Sequence, residues 1–206
     1  MASGEPFVVY QHMSTCPSTP TMNAVLSLME LPDDLPLYID HDFAVLDGRA
    51  PDAITTLPAS SFVAFKDGDW IDLYPAMVSP VAQTMNHFLA RNGLIAEGPT
   101  SPLIGPDAFT NADDLARGLT LGRVWSSLAL PDHDLRGMRI NDGAIAGSDF
   151  SGADLRKARF TNTLLSHTSF EGARTEGITL TNVTLRQVTC VDGSVRSGDV
   201  GDCLSE

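Results

Sequence analysis

Every fifth residue from Leu130 to Phe170 is apolar, and this spacing constrains the chain more than any other feature it has. Leu135, Ile140, Ile145, Phe150, Leu155, Phe160 and Leu165 lie between. Thr175 interrupts the series; Leu180, Leu185, Cys190, Val195 and Val200 resume it. Two positions before these stand mostly small or modest residues, among them Gly143, Ser148, Ala153, Ala158, Thr163, Thr168 and Ala173. Two positions after them stand turn formers: Gly137, Asp142, Gly147, Gly152, Asn162, Gly172, Gly177, Asn182 and Asp192. A period of five suits neither an α-helix nor a flat strand. It suits a square coil in which each pentapeptide forms one side, one large and one small residue pointing inward. From about His133 to Asp192, twelve pentapeptides make three coils. Stacked at roughly the 4.8 Å strand spacing, they form a rod of about 14 Å. Such a stack needs covered ends. Trp125, Leu128 and Leu130 are candidates for one cap and residues 193–206 for the other.

Ala153-Asp154-Leu155 matches the Ala-Asp/Asn-Leu-X-X motif, and Ser148-Asp149-Phe150 and Ala158-Arg159-Phe160 are close variants. The segment resembles the pentapeptide repeat family. The resemblance implies an all-β right-handed quadrilateral β-helix and, for some members, DNA mimicry that inhibits gyrase. This repeat is short for that role. It is also nearly charge-balanced, with Arg136, Arg139, Arg156, Lys157 and Arg159 in its first half. A rigid stacking or docking segment fits it better.

Upstream, Phe7–Tyr10 reads as a buried strand, followed by Cys16-Pro17-Ser18-Thr19 and a helical pattern through Asn23 to Leu31. Leu35–Asp40 and Ser60–Phe65 read as further strands. The latter joins Trp70–Leu73 through Lys66-Asp67-Gly68-Asp69, an Asp-Gly hairpin signal. Ser79-Pro80 opens a helix whose buried stripe is Val81, Met85, Phe88 and Leu89, with Gly93 as its stop. This β-α-β, β-β-α order resembles a thioredoxin or glutaredoxin domain, with Cys16-Pro17 at the first helix and Leu57-Pro58 before the third strand. It implies an α/β domain over residues 5–95 and a cis Leu57–Pro58 bond. A linker rich in proline and glycine with a short helix occupies 96–124, and the repeat with its caps occupies 125–200.

A cysteine at a helix N-terminus has a lowered pKa and a more available thiolate. The resemblance therefore makes Cys16 the candidate nucleophile, with Pro17, Thr19, Leu57 and Pro58 as candidate substrate-binding residues. Thr19, however, stands where a dithiol enzyme has its resolving cysteine, which removes the intramolecular second step. No tryptophan precedes Cys16, and no buried acid stands on the strand before it. A degenerate fold kept as a scaffold is one reading; a monothiol oxidoreductase is the other.

Composition narrows the partners. The formal net charge is −13, and residues 1–130 hold 15 acidic against 5 basic residues. With no basic stripe to neutralise phosphates, direct nucleic-acid or anionic-membrane binding is disfavoured. No apolar run has a membrane span's length, and Met1–Pro6 lacks a signal peptide's features. Cys16, Cys190 and Cys203 are odd in number and make neither a disulfide framework nor a zinc spacing. They suggest a reduced, cytoplasmic setting. The dispersed histidines His12, His41, His87, His133 and His167 predict no metal, and no cofactor is expected. The expected function is a non-catalytic interaction or assembly subunit with other protein subunits as partners, as an oligomer or in a larger assembly, a virion being one setting. Monothiol oxidoreduction through Cys16 is the alternative, and DNA mimicry the second.

Overall fold

The computed structural model describes residues 6–12, 35, 37–41, 61–75, 82–95, 98 and 124–205. The chain divides into two compact units, Met1–Ser101 and Pro102–Glu206.

In the first unit, β1 (Phe7–His12), β2 (Leu37–His41), β3 (Ser61–Lys66) and β4 (Asp69–Pro75) form one sheet in the order β2-β1-β3-β4. β1 runs parallel to β2 and antiparallel to β3, and β3 is antiparallel to β4. Phe7 to Tyr10 and Phe62 to Phe65 are buried without interruption. Both faces of β1 and β3 are therefore covered, which is why these strands read as continuous apolar runs rather than alternating ones. Asp67 and Gly68 both take positive φ, 55° and 86°, the twist a two-residue hairpin demands.

Helix α1 (Ala82–Arg91) lays Met85, Phe88 and Leu89 against Val8, Tyr10, Phe62 and Ala64. Leu94 N–H donates to Leu89 C=O and Gly93, at φ 64°, ends the helix, a glycine C-cap. A register shift after Ala64 sets Asp72 opposite Ala64, and Asp72 is fully buried. Arg91 Nε and Asn92 Nδ2 each donate to Asp72 Oδ2 at 2.7 Å. The helix's C-terminal end is thus tied to β4 through a buried carboxylate.

The second unit is a β-solenoid of about three turns. β5 (Val124–Ser126), β6 (Arg139–Ala146), β7 (Arg159–Ser166) and β8 (Thr179–Thr189) pair in parallel. The pairs Ile140↔Phe160 and Phe160↔Leu180 set the register at twenty residues, four pentapeptides to a coil. Isolated bridges repeat the spacing on the other sides: Ala129↔Asp149↔Ser169↔Thr189 and Asp134↔Asp154↔Arg174. The inward residues therefore stack in columns. Leu130, Phe150, Phe170 and Cys190 form one, and Phe150 and Phe170 lie stacked at 5.5 Å. Burial of Leu130, Phe150 and Phe170 contributes about 1.5–3 kcal/mol each.

The corners explain the turn formers. Gly137, Lys157 and Gly177 form one left-handed column, Asp142, Asn162 and Asn182 another, and Asp132, Gly152 and Gly172 a third. The small inward residues carry their own polar solution. Thr163 and Thr168 donate to the carbonyls of Thr161 and Ser166, and Ser148 donates to Ala146 C=O while accepting from Leu128 N–H.

The ends differ from the sequence expectation. Trp125, Leu128 and Leu130 are not a separate cap: they fill the inward positions of the first coil, and Leu130 N–H bonds Asp149 C=O. At the other end the five-residue register stops at Cys190. Asp192-Gly193 turns the chain, with Ser194 N–H donating to Asp192 Oδ1 and Cys190 N–H to Ser194 C=O. β9 (Val195–Asp199) then runs antiparallel to β8, leaving Val195 60% exposed rather than inward. The tail returns to bury Cys203 and Leu204. Cys203 is disulfide-bonded to Cys190, which corrects the expectation of three unpaired thiols. The bonded pair removes the cysteine argument for a reducing compartment. No helix among the described residues is long and apolar enough to cross a membrane.

Candidate interaction surface

Cys16, Pro17, Thr19, Leu57 and Pro58 lie outside the described residues, as does the Leu57–Pro58 bond. The surface chemistry that is described lies on the solenoid, where the twenty-residue register sorts outward side chains into columns as strictly as inward ones.

One side carries Asp134, Asp154 and Arg174 in one column and Arg136, Arg156 and Glu176 in the column two residues on. Asp154 sits at its centre. Its carboxylate is nearly buried and accepts from Arg156 Nε at 2.8 Å and Nη2 at 2.5 Å. Arg174 approaches it from one neighbouring coil at 3.2 Å and Arg136 from the other at 3.9 Å. The Arg156 hydrogen bonds outweigh the cost of burial and hold Asp154 at about 2, below the usual 3.8. Asp134 is likewise lowered by its hydrogen bonds from Arg136. Carboxylates and guanidiniums here neutralise one another within the fold.

The next corner carries an amide ladder. Asn182 Nδ2 donates to Asn162 Oδ1 at 3.0 Å, and Asn162 Nδ2 to Asp142 Oδ1 at 2.7 Å. Such ladders arise where identical positions stack on successive rungs.

Between the charged side and the ladder stand Arg139, Arg159 and Lys157, all exposed. Arg139 and Arg159 are direct register partners on adjacent coils. Reading the sequence at a period of five singled out these cations but missed Asp134 and Arg174. A period of twenty would have aligned both with Asp154.

The Pentapeptide repeats family matches residues 146–190, in eight copies. No curated protein matches the chain. Among solved structures, the chain is similar to Trxlp from Edwardsiella tarda EIB202 at 17% sequence identity and a TM-score of 0.30. That match covers 38% of this chain and 78% of the other.

Proposed function

We propose that this chain is a non-catalytic protein-interaction or assembly subunit, its solenoid serving as a rigid docking segment. The observation that carries the reading is the register. Backbone hydrogen bonds between coils set the height and side at which each outward position stands, as recognition by a partner protein needs. A component of a larger complex is the setting this suits, a virus particle being one possibility among such complexes. The DNA-mimic alternative calls for a densely acidic rod. Here the outward columns mix both signs, and one corner is basic.

For the first unit we propose a thioredoxin-like scaffold. The sheet order β2-β1-β3-β4, its parallel and antiparallel pairings and α1 packed on one face support it. The same topology supports the alternative, a monothiol oxidoreductase with Cys16 as nucleophile and Pro58 shaping the substrate edge. Titrating Cys16 with a thiol reagent across pH, and assaying reduction of a glutathione mixed disulfide, separates the two. An inert Cys16 is the expected result. A depressed thiol pKa, with turnover abolished by Cys16→Ser, would overturn the scaffold reading. Native mass of the protein taken from its source addresses assembly directly: a complex is expected, and a partner-free monomer would count against it.

A further inference from the structure

Within the solenoid, neighbouring columns treat their cations in opposite ways. Arg136, Arg156 and Arg174 are interleaved with Asp134 and Asp154, so each faces a carboxylate. Three residues along, Arg139 and Arg159 stand directly opposite each other on adjacent parallel rungs. Like charges so placed are destabilising. No carboxylate among the described residues lies within ion-pair distance of either, or of Lys157 on the corner beside them. The stem of Lys157 crosses the next coil at Gly177, where a side chain would come within 3.6 Å of its Cγ. The three exposed cations thus stand on adjacent coils with no ion pair to a carboxylate among the described residues.

We propose that this corner is the docking surface for an acidic segment of a partner protein, an inference that rests on the interaction reading above. Two arginines whose backbones lie one rung apart, roughly 4.8 Å by strand spacing, can share a carboxylate or take two from an extended chain. Arginine binds carboxylates in a planar two-point fashion that lysine cannot reproduce. A nucleic acid fits less well. Its charge is dense and continuous, and beyond this small patch it would meet the field of a chain whose net charge is −13. A short acidic segment meets only the patch, because charges farther off are screened within about 8–10 Å at ordinary salt.

The test uses the full chain and a short labelled oligoglutamate peptide as probe, with duplex DNA at equal charge concentration beside it. Binding should weaken steeply with salt, and Arg139→Gln with Arg159→Gln should weaken it at least tenfold. Lys66→Gln, on the other unit, should leave it unchanged. The glutamine pair removes repulsion rather than core contacts, and thermal unfolding verifies that it folds. Absent binding at low salt, equal binding by the glutamine pair, or tighter binding of DNA would each overturn the proposal. The native complex separates this failure from that of the interaction reading. Should the complex persist with the glutamine pair, this docking surface is wrong and the interaction reading stands. Should the unaltered chain be partner-free, the interaction reading falls and this proposal with it.

Discussion

Asp154 and Arg156 form a two-point ion pair on one side of the solenoid, Nε at 2.8 Å and Nη2 at 2.5 Å from the two carboxylate oxygens. The pairing binds two positions of the same pentapeptide, and the arginines of the coils on either side reach the same group. Asp154 is therefore a node between three coils rather than a local contact.

A pH dependence follows. Asp154 is held at about 2 in the folded chain against 3.8 for a free side chain. The unfolded chain binds the proton more readily, so the pair's stabilisation is complete above the unfolded value and is lost as pH falls through the folded one. Asp154→Asn should flatten the stability curve between about pH 4 and pH 2. Urea midpoints at half-unit intervals measure this, and an unchanged slope would remove Asp154 from the account.

Thr175 ends the inward column Leu135–Leu155–Thr175. It is only 2% exposed, and its Oγ1 has no hydrogen-bond partner among the described residues. A buried hydroxyl without a partner costs about 1–3 kcal/mol. Thr175→Val keeps the shape and removes the cost, so a gain of about 1 kcal/mol and a higher Tm are expected. A loss of stability would mean that the hydroxyl is bonded.

Gly172 turns a corner at φ 67°, with open space where a side chain would stand. Any cost of substitution there is one of backbone conformation alone. Gly172→Ala should lose about 1–2 kcal/mol, and Gly172→Asn clearly less, because asparagine tolerates the left-handed region. Chemical denaturation of the two variants gives the comparison; equal losses would point to crowding instead.

The Cys190–Cys203 bond closes a loop with a sequence separation of 13. Cross-links over loops of that length stabilise by about 3 kcal/mol. Cys203→Ser should lose a comparable amount. It should also expose the tail to protease cleavage between residues 191 and 206 while leaving the inner coils protected. Uniform cleavage along the solenoid would show that the tail covers nothing.

What the sequence reveals of this fold depends on whether a residue's environment is set by its own pentapeptide. The inward apolar positions and the left-handed corners are local consequences of the coil, so Phe150, Phe160, Gly152 and Asn162 announce themselves. Strands β1 and β3 do so as well, through unbroken apolar runs. The solenoid's end is not local. Val195 keeps the five-residue spacing, yet the turn at Asp192-Gly193 reverses the chain first, and only that reversal carries Cys203 back to Cys190. The surface chemistry is local only in part. Arg156 pairs with Asp154 two residues before it, while Arg159 has Lys157 at that place. That Arg174 and Arg136 also reach Asp154 depends on the coils above and below it.

The twenty-residue register also quantises how this chain can change in length. Deleting one pentapeptide would turn everything downstream by a quarter, sending each outward residue to the adjoining side and breaking the Asp142–Asn162–Asn182 ladder. Deleting or inserting a whole coil would return every column to its own side and alter only the rod's height. Variation in such a segment is therefore granular: its reach can be adjusted in whole coils while the pattern presented on each side survives.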